Sequence, residues 1–355
     1  MIVAGQLLLE TTSRRCRLVP GFLRLHDGHI SEVIEGEIPR QADFGGEDWL
    51  ITPGFIDAHV HLPQFDIIGA HGMPLLSWLN QVTFPAEKRW EDVDYATAMT
   101  KRVIEQLVSH GTTTFCAYAT VHHESANAAL RYARDFGMRG VIGHVLMNRQ
   151  SPDYLCRETS ELIEQTSRLL DTFPPSDRMA AAVTPRFAIA CTGDLLEAAG
   201  KLAAKHDAIV QTHLAETVDE CELVSRLFGG DSYVEVYRKA GLISSRSILG
   251  HGIHLGADDR AALAAAGASV AHCPTANSFL RSGTMHRKAL VEDGVRVAIG
   301  SDIGAGYERS MVRVGRAMIE SASSIGDVYP SAAEAWHGIT AGNADHLGFR
   351  DAGRL

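Results

Sequence analysis

The 355-residue sequence predicts a (β/α)8 barrel of the TIM type preceded by a small β unit. Three observations point there. From Trp49 onward, eight short apolar runs alternate with segments of helical composition, as parallel strands joined by helical crossovers do. Histidines and acids close several of those runs, and a barrel of this type keeps its active site at the C-terminal ends of its strands. The first 48 residues differ: they hold short strand-like runs and turn signals, without a long helical period.

The division that follows is a β-sandwich unit over 1–48 and a barrel over 49–355. In the first part the strand candidates are 6–9, 22–25 (ahead of Asp27-Gly28) and 30–34. In the second they are 54–59, 112–118, 141–147, 180–186, 208–213, 247–251, 269–273 and 295–301. The clearest helical segments are 93–110, 124–136, 193–206, 257–266 and 308–322.

Composition narrows the function. Apolar residues make up 45% of the chain, enough for a large core. A net charge of −10 argues against a nucleic-acid partner and is ordinary for an enzyme of a small molecule. The six cysteines are scattered and form no Cys-x-x-Cys pair, which fits reduced thiols and a cytoplasmic location. The N-terminus lacks the basic start of a signal peptide. No apolar run approaches the ~18 residues a membrane span needs, so no membrane partner is expected.

Four islands carry the chemistry: His59-Val60-His61, His213-Leu214-Ala215-Glu216, His251 and Ser301-Asp302. Residues two apart on a strand share a face, so His59 and His61 can reach one ion, although two solvated histidines would look the same. His213 is a candidate ligand. Glu216, three residues on, is either a proton carrier beside an ion or a helix-cap carboxylate ahead of Thr217. Glycines flank His251 and would allow close backbone approach, while a core histidine satisfied by backbone is the plainer reading. Asp302 follows an apolar strand, where a carboxylate is costly unless paired or metal-bound; a turn aspartate is the alternative.

Of the other histidines, His26, His29, His71, His110, His206, His286, His337 and His346 lack strand-end clustering and read as surface or structural. His122-His123 opens a helix, and His272 is expected to shape the pocket wall.

These islands, with Pro53-Gly54-Phe55-Ile56-Asp57-Ala58, Thr83-Phe84-Pro85-Ala86-Glu87, Thr184-Pro185-Arg186-Phe187 and Ala271-His272-Cys273-Pro274, resemble the mononuclear amidohydrolase superfamily over about residues 45–350. The Phe-Pro-Ala-Glu and Pro-Arg-Phe pieces are similar to its guanine-deaminating branch. The resemblance implies a (β/α)8 barrel with one zinc ion, or iron, on His59, His61, His213 and Asp302. Glu216 would shuttle protons, and His251 and Asp302 would orient and activate water. Gln64, Arg186 and Phe187, beside His213, Glu216 and His251, would contact a purine. It implies hydrolysis of guanine to xanthine and ammonia in a homodimer. Related rings (8-oxoguanine, a pterin, a triazine) or an inactive homologue are the alternatives.

Three positions depart from the family's pattern: Leu62 for an aromatic residue, Asn148 for aspartate and Ser301 for threonine. The sequence also ends at Leu355, where the resemblance implies further strands, so the small β unit is expected to be incomplete.

Overall fold

Two sheets organise the chain in a computed structural model that describes residues 1–70, 72–326 and 330–355. His71 lies outside the described residues. The N-terminal sheet contains β1 (Ile2–Thr12), β2 (Arg15–His26), β3 (His29–Glu35) and β4 (Phe44–Ile51) in the order β3-β2-β1-β4. β1 and β2 form a long antiparallel hairpin that starts from the Thr12–Arg15 pair, and β4 adds to β1 in parallel. Leu7, Leu23 and Ile51 make its small core.

Strands β1 and β2 are longer than the apolar runs that signalled them, because they continue into polar, partly exposed ends such as residues 10–12 and 15–17. β4 gave no sequence signal. Its Phe44-Gly45-Gly46-Glu47-Asp48 start is glycine-rich and acidic, and only Ile51 is fully buried. Gly45 is required there: a Cβ would stand 1.9 Å from the Ala4 carbonyl oxygen.

The barrel strands are β5 (Phe55–His61), β6 (Thr112–Tyr118), β7 (Arg139–Leu146), β8 (Met179–Pro185), β9 (Val210–Leu214), β10 (Ser247–His251), β11 (Ser269–His272) and β12 (Arg296–Ile299). Each lies parallel to its sequence neighbour, in one eight-stranded sheet. They are almost wholly buried, as expected for parallel strands covered by helices.

The helices follow from spacing and caps. Val93–Ser109 buries Ala96, Met99, Val103, Ile104 and Leu107 along one stripe, and the Asp92 carboxylate accepts from the amides of Asp94 and Tyr95. Gly193–His206 starts behind Thr192, whose hydroxyl accepts from Leu195 N. The helix expected from residue 308 begins at Met311, because Ser310 is still extended.

Side chains stitch the seam between β12 and β5. The Asn343 amide donates to the carbonyls of Ile56 and Ile299 at 2.7 Å each, and its oxygen accepts from Ile299 N at 2.9 Å. Asp57, buried in β5, accepts from the Ser301 amide and hydroxyl across the same gap. The backbone adds Asp302 N to His59 O at 2.8 Å and His61 N to Ile303 O at 3.0 Å. These bonds deliver Asp302 to the end of β5, beside both histidines.

Candidate active site

One cavity with about 380 Å³ of empty space opens at the C-terminal ends of the barrel strands. His61, His213, Glu216, His251 and Asp302 line it together with Gln64, Arg186 and Phe187. His59 lies just behind, fully buried. Every site residue expected from the sequence is therefore in or against one chamber.

His59 meets the rings of His61, His213 and His251 edge to face, while His213 stacks on His61 and on His251. Asp302 joins them. Its Oδ1 lies 3.2 Å from His59 Nε2 and 3.3 Å from His61 Nε2, and its Oδ2 lies 3.7 Å from His251 Nε2. His61 Nε2 and His213 Nε2 are 3.1 Å apart. Ligand atoms of His59, His213, His251 and Asp302 fall within 4.8 Å of one another. His251 thus joins the group of candidate ligands, a place the sequence reading gave to His61 instead. The geometry keeps both within reach.

Partners on the far ring nitrogens orient two of the rings. The Arg186 carbonyl accepts from His213 Nδ1 at 2.6 Å, and the Asn277 side-chain oxygen accepts from His251 Nδ1 at 2.9 Å. His213 is left with an Nε2 lone pair, whereas burial at His251 is outweighed by Glu216 and Asp302, which raise it above its ordinary value. Burial pushes His61 down to about 3 and holds His59 and His213 below the usual histidine range, so all three stay neutral. Burial opposes the charge of Asp302, but His59, His61 and His251 outweigh it and hold this carboxyl well below the usual range. Buried, neutral imidazoles beside a carboxylate, with both His59 ring nitrogens and His61 Nδ1 lacking hydrogen-bond partners among the described residues, suit a divalent metal.

Glycine makes this crowding possible. A Cβ on Gly250 would stand 2.6 Å from His59 Cε1. One on Gly300 would stand 2.5 Å from His59 Cβ and 2.9 Å from His59 N. His251 and Asp302 leave their strands with φ of 70° and 50°, and Ala215 turns at 46° ahead of Glu216. Such left-handed turns are unfavourable for these residues, and here they aim three strand-end segments at one point.

Glu216 is no helix cap. That duty belongs to Glu220, which forms a capping box with Thr217 and accepts from Glu216 N at 2.8 Å. The Glu216 carboxylate instead accepts from Ser282 Oγ at 2.7 Å and lies 3.3 Å from His251 Nε2. Burial pushes it up to about 7, against the pull of His251.

Gln64, Arg186 and Phe187 line the same cavity. Phe187 follows β8 and is buried against the cavity. Arg186 Nη1 donates to both oxygens of Glu87, and its guanidinium lies 5.3 Å from the centre of the Phe84 ring. The Gln64 amide donates to Glu87 at 3.2 Å, and its oxygen accepts from Gly304 N at 3.0 Å. Gln64 was expected to offer both a donor and an acceptor to a ring edge. Gly304 takes one lone pair of its oxygen and Glu87 one N–H, which leaves one acceptor site and one N–H on Gln64.

His272 does not shape this chamber; it lines a neighbouring cavity with Thr275 and Tyr307. Sequence reasoning missed Asp57, Glu87, Glu220, Asn277 and Ser282, all buried. Asp57 carried a readable signal, as an acid inside an apolar run. Glu87 stood in a motif noted for the resemblance but was given no task.

The chain belongs to the amidohydrolase family, whose model matches residues 50–355. Guanine deaminase of Escherichia coli K12 is 37% identical over 317 residues, which are 88% of this chain and 71% of that protein. The Dictyostelium discoideum guanine deaminase is 36% identical over 79% of this chain, and the match spans 63% of its own length.

Among solved structures, the E. coli guanine deaminase superposes with a TM-score of 0.92 at 33% identity, covering 99% of this chain and 86% of that one. The Clostridium acetobutylicum enzyme, solved with guanine in its active site, gives 0.94 at 29%, covering 99% and 87%. Atrazine chlorohydrolase from Arthrobacter aurescens gives 0.88 at 19%, a likeness of fold alone.

Proposed function

We propose that the chain is a metal-dependent aminohydrolase that converts guanine and water to xanthine and ammonia. The observation that carries this reading is the meeting, in one cavity, of the His–Asp group, Glu216 and the Arg186–Phe187 wall. The likeness to guanine deaminases supports the choice of guanine.

His59, His61, His213 and Asp302 would hold the ion, and His251 stands beside them with its Nε2 3.7 Å from Asp302 Oδ2. Zinc fits the nitrogen and carboxylate donors, and iron is the second choice. A bound divalent ion lowers the pKa of a coordinated water toward about 7 and so supplies a nucleophile at neutral pH. Glu216 takes the proton of that water and gives it to the ring nitrogen beside the amino-bearing carbon. Oxygen bonds to that carbon, the C–N bond breaks, and the amine takes the remaining proton and leaves as ammonia. His251 and Asp302 orient the water, and Ser282 holds Glu216 in line.

Phe187 stacks on the flat ring, Arg186 donates to a ring carbonyl, and Gln64 donates through its free N–H. The enzyme works as a cytoplasmic homodimer; free cysteines support a reducing compartment, and the family resemblance alone supports the dimer. No helix among the described residues is long and apolar enough to cross a membrane.

Ammonia release from guanine, 8-oxoguanine, a pterin and a triazine, run side by side, tests the substrate. Guanine should show the highest kcat/KM; a triazine or pterin in first place would overturn the assignment.

A further inference from the structure

Among the described residues lining the cavity, Arg186 is the only arginine or lysine. A lone guanidinium in a closed chamber attracts anions and is held in no fixed orientation. Here it is neither alone nor free. Glu87, 1% exposed, takes Nη1 with both carboxylate oxygens at 2.7 and 2.6 Å. One of those oxygens also accepts from Gln64 at 3.2 Å, and Gln64 in turn is tied to Gly304, two residues beyond Asp302. Among the described residues, no hydrogen bond uses Arg186 Nη2 or Nε, so those donors are the ones left for a ligand. The Phe84 ring backs the guanidinium on one face.

We propose that Glu87 is a positioning and specificity residue, resting on the guanine reading above. It locks Arg186 and Gln64 into one donor array and cancels the arginine charge. The pocket then favours an uncharged ring bearing a carbonyl acceptor. Glu87 touches no reacting atom; it acts through Arg186 and Gln64. A carboxylate shared by two donors explains why a buried acid stands in a helix (Phe84–Lys88) whose residues lie behind the chamber rather than lining it.

The test uses the metal-loaded enzyme and E87Q, which keeps the size of the side chain and removes its charge. Turnover of guanine is measured with competitive inhibition by hypoxanthine, which keeps the carbonyl but has no amino group to lose, and by purine, which has no carbonyl. In E87Q the KM for guanine and the inhibition constant of hypoxanthine should rise about 10- to 100-fold, the range for a charge-assisted contact. kcat should stay within about 3-fold, and purine inhibition should change less than about 3-fold. E87D, which restores the charge, should recover part of the loss.

Equal weakening of hypoxanthine and purine, or no weakening of either, overturns the role. If E87Q does not fold, the same comparison on E87D decides by the same criteria. Wild-type enzyme that binds hypoxanthine no better than purine contradicts the guanine reading and this inference together. Wild-type discrimination that persists unchanged in E87Q contradicts only the part given to Glu87.

Discussion

His59 is closely packed by two glycines of neighbouring segments. Gly250 and Gly300 approach it from two strands, and neither position has space for a Cβ. The neighbour at Gly300 is partly backbone, which cannot rotate away. Gly300→Ala should therefore cost about 1–3 kcal/mol of stability by overpacking. It should also weaken metal binding, since His59 must shift. Thermal unfolding with metal quantification checks both; a variant with wild-type Tm and metal content would contradict the packing.

The histidines of the site were legible in sequence because an imidazole or carboxylate closing an apolar run is unusual, and four such endings are more so. Their supporting groups were not legible. Glu87 meets Arg186 across 99 residues, and Asp57 meets Ser301 across 244. Nothing local in a sequence marks a partner that distant. The choice between cap and catalyst at Glu216 was also beyond reach, because it turned on whether Glu220 could fold back to the Glu216 amide.

At the scale of elements, the barrel depends on how its first and last strands meet. Asn343 supplies three bonds to that seam from a helix near the C-terminus of the chain. Asn343→Ala would leave the Ile299 amide and two carbonyls buried without partners. The expected loss is roughly 2–4 kcal/mol, read from the urea midpoint. A change below about 0.5 kcal/mol would mean that the seam closes without it.

Eight strands and the main helices were legible because barrel strands are continuously apolar and their helices carry one buried stripe. β4 was not, since an edge strand with one buried residue has no pattern to read. The closure was invisible for a different reason: Asn343 looks like any polar residue in a helix until Ile56 and Ile299 are beside it.

For the whole molecule, buried neutral histidines set the response to acid. His144 is buried between Thr166 Oγ1 at 2.8 Å and the Val121 carbonyl at 3.0 Å, far along the chain from the site ligands. Burial pushes it down to about 4 from the ordinary 6.5. The unfolded chain therefore binds more protons than the folded one between those values. Stability from this group is complete above about pH 6.5 and is lost as pH falls toward 4, by roughly 3 kcal/mol. His346, also pushed down to about 4, acts in the same direction. His144→Gln should flatten the fall of Tm between pH 7 and 5; an unchanged slope would place the acid sensitivity elsewhere.

In the proposed function, one metal, Glu216 and the Arg186–Phe187 wall act as a single catalytic unit. Ammonia release from guanine, measured on wild type and Glu216→Gln with the metal of each sample quantified, tests it most directly. About one divalent ion per chain is expected in both proteins. Guanine turnover is expected in the wild type, and a fall of at least about 10²-fold in kcat for the variant, the range for a lost general acid–base group. Variant turnover equal to wild type, or a wild type that holds metal yet releases no ammonia from guanine, would contradict it.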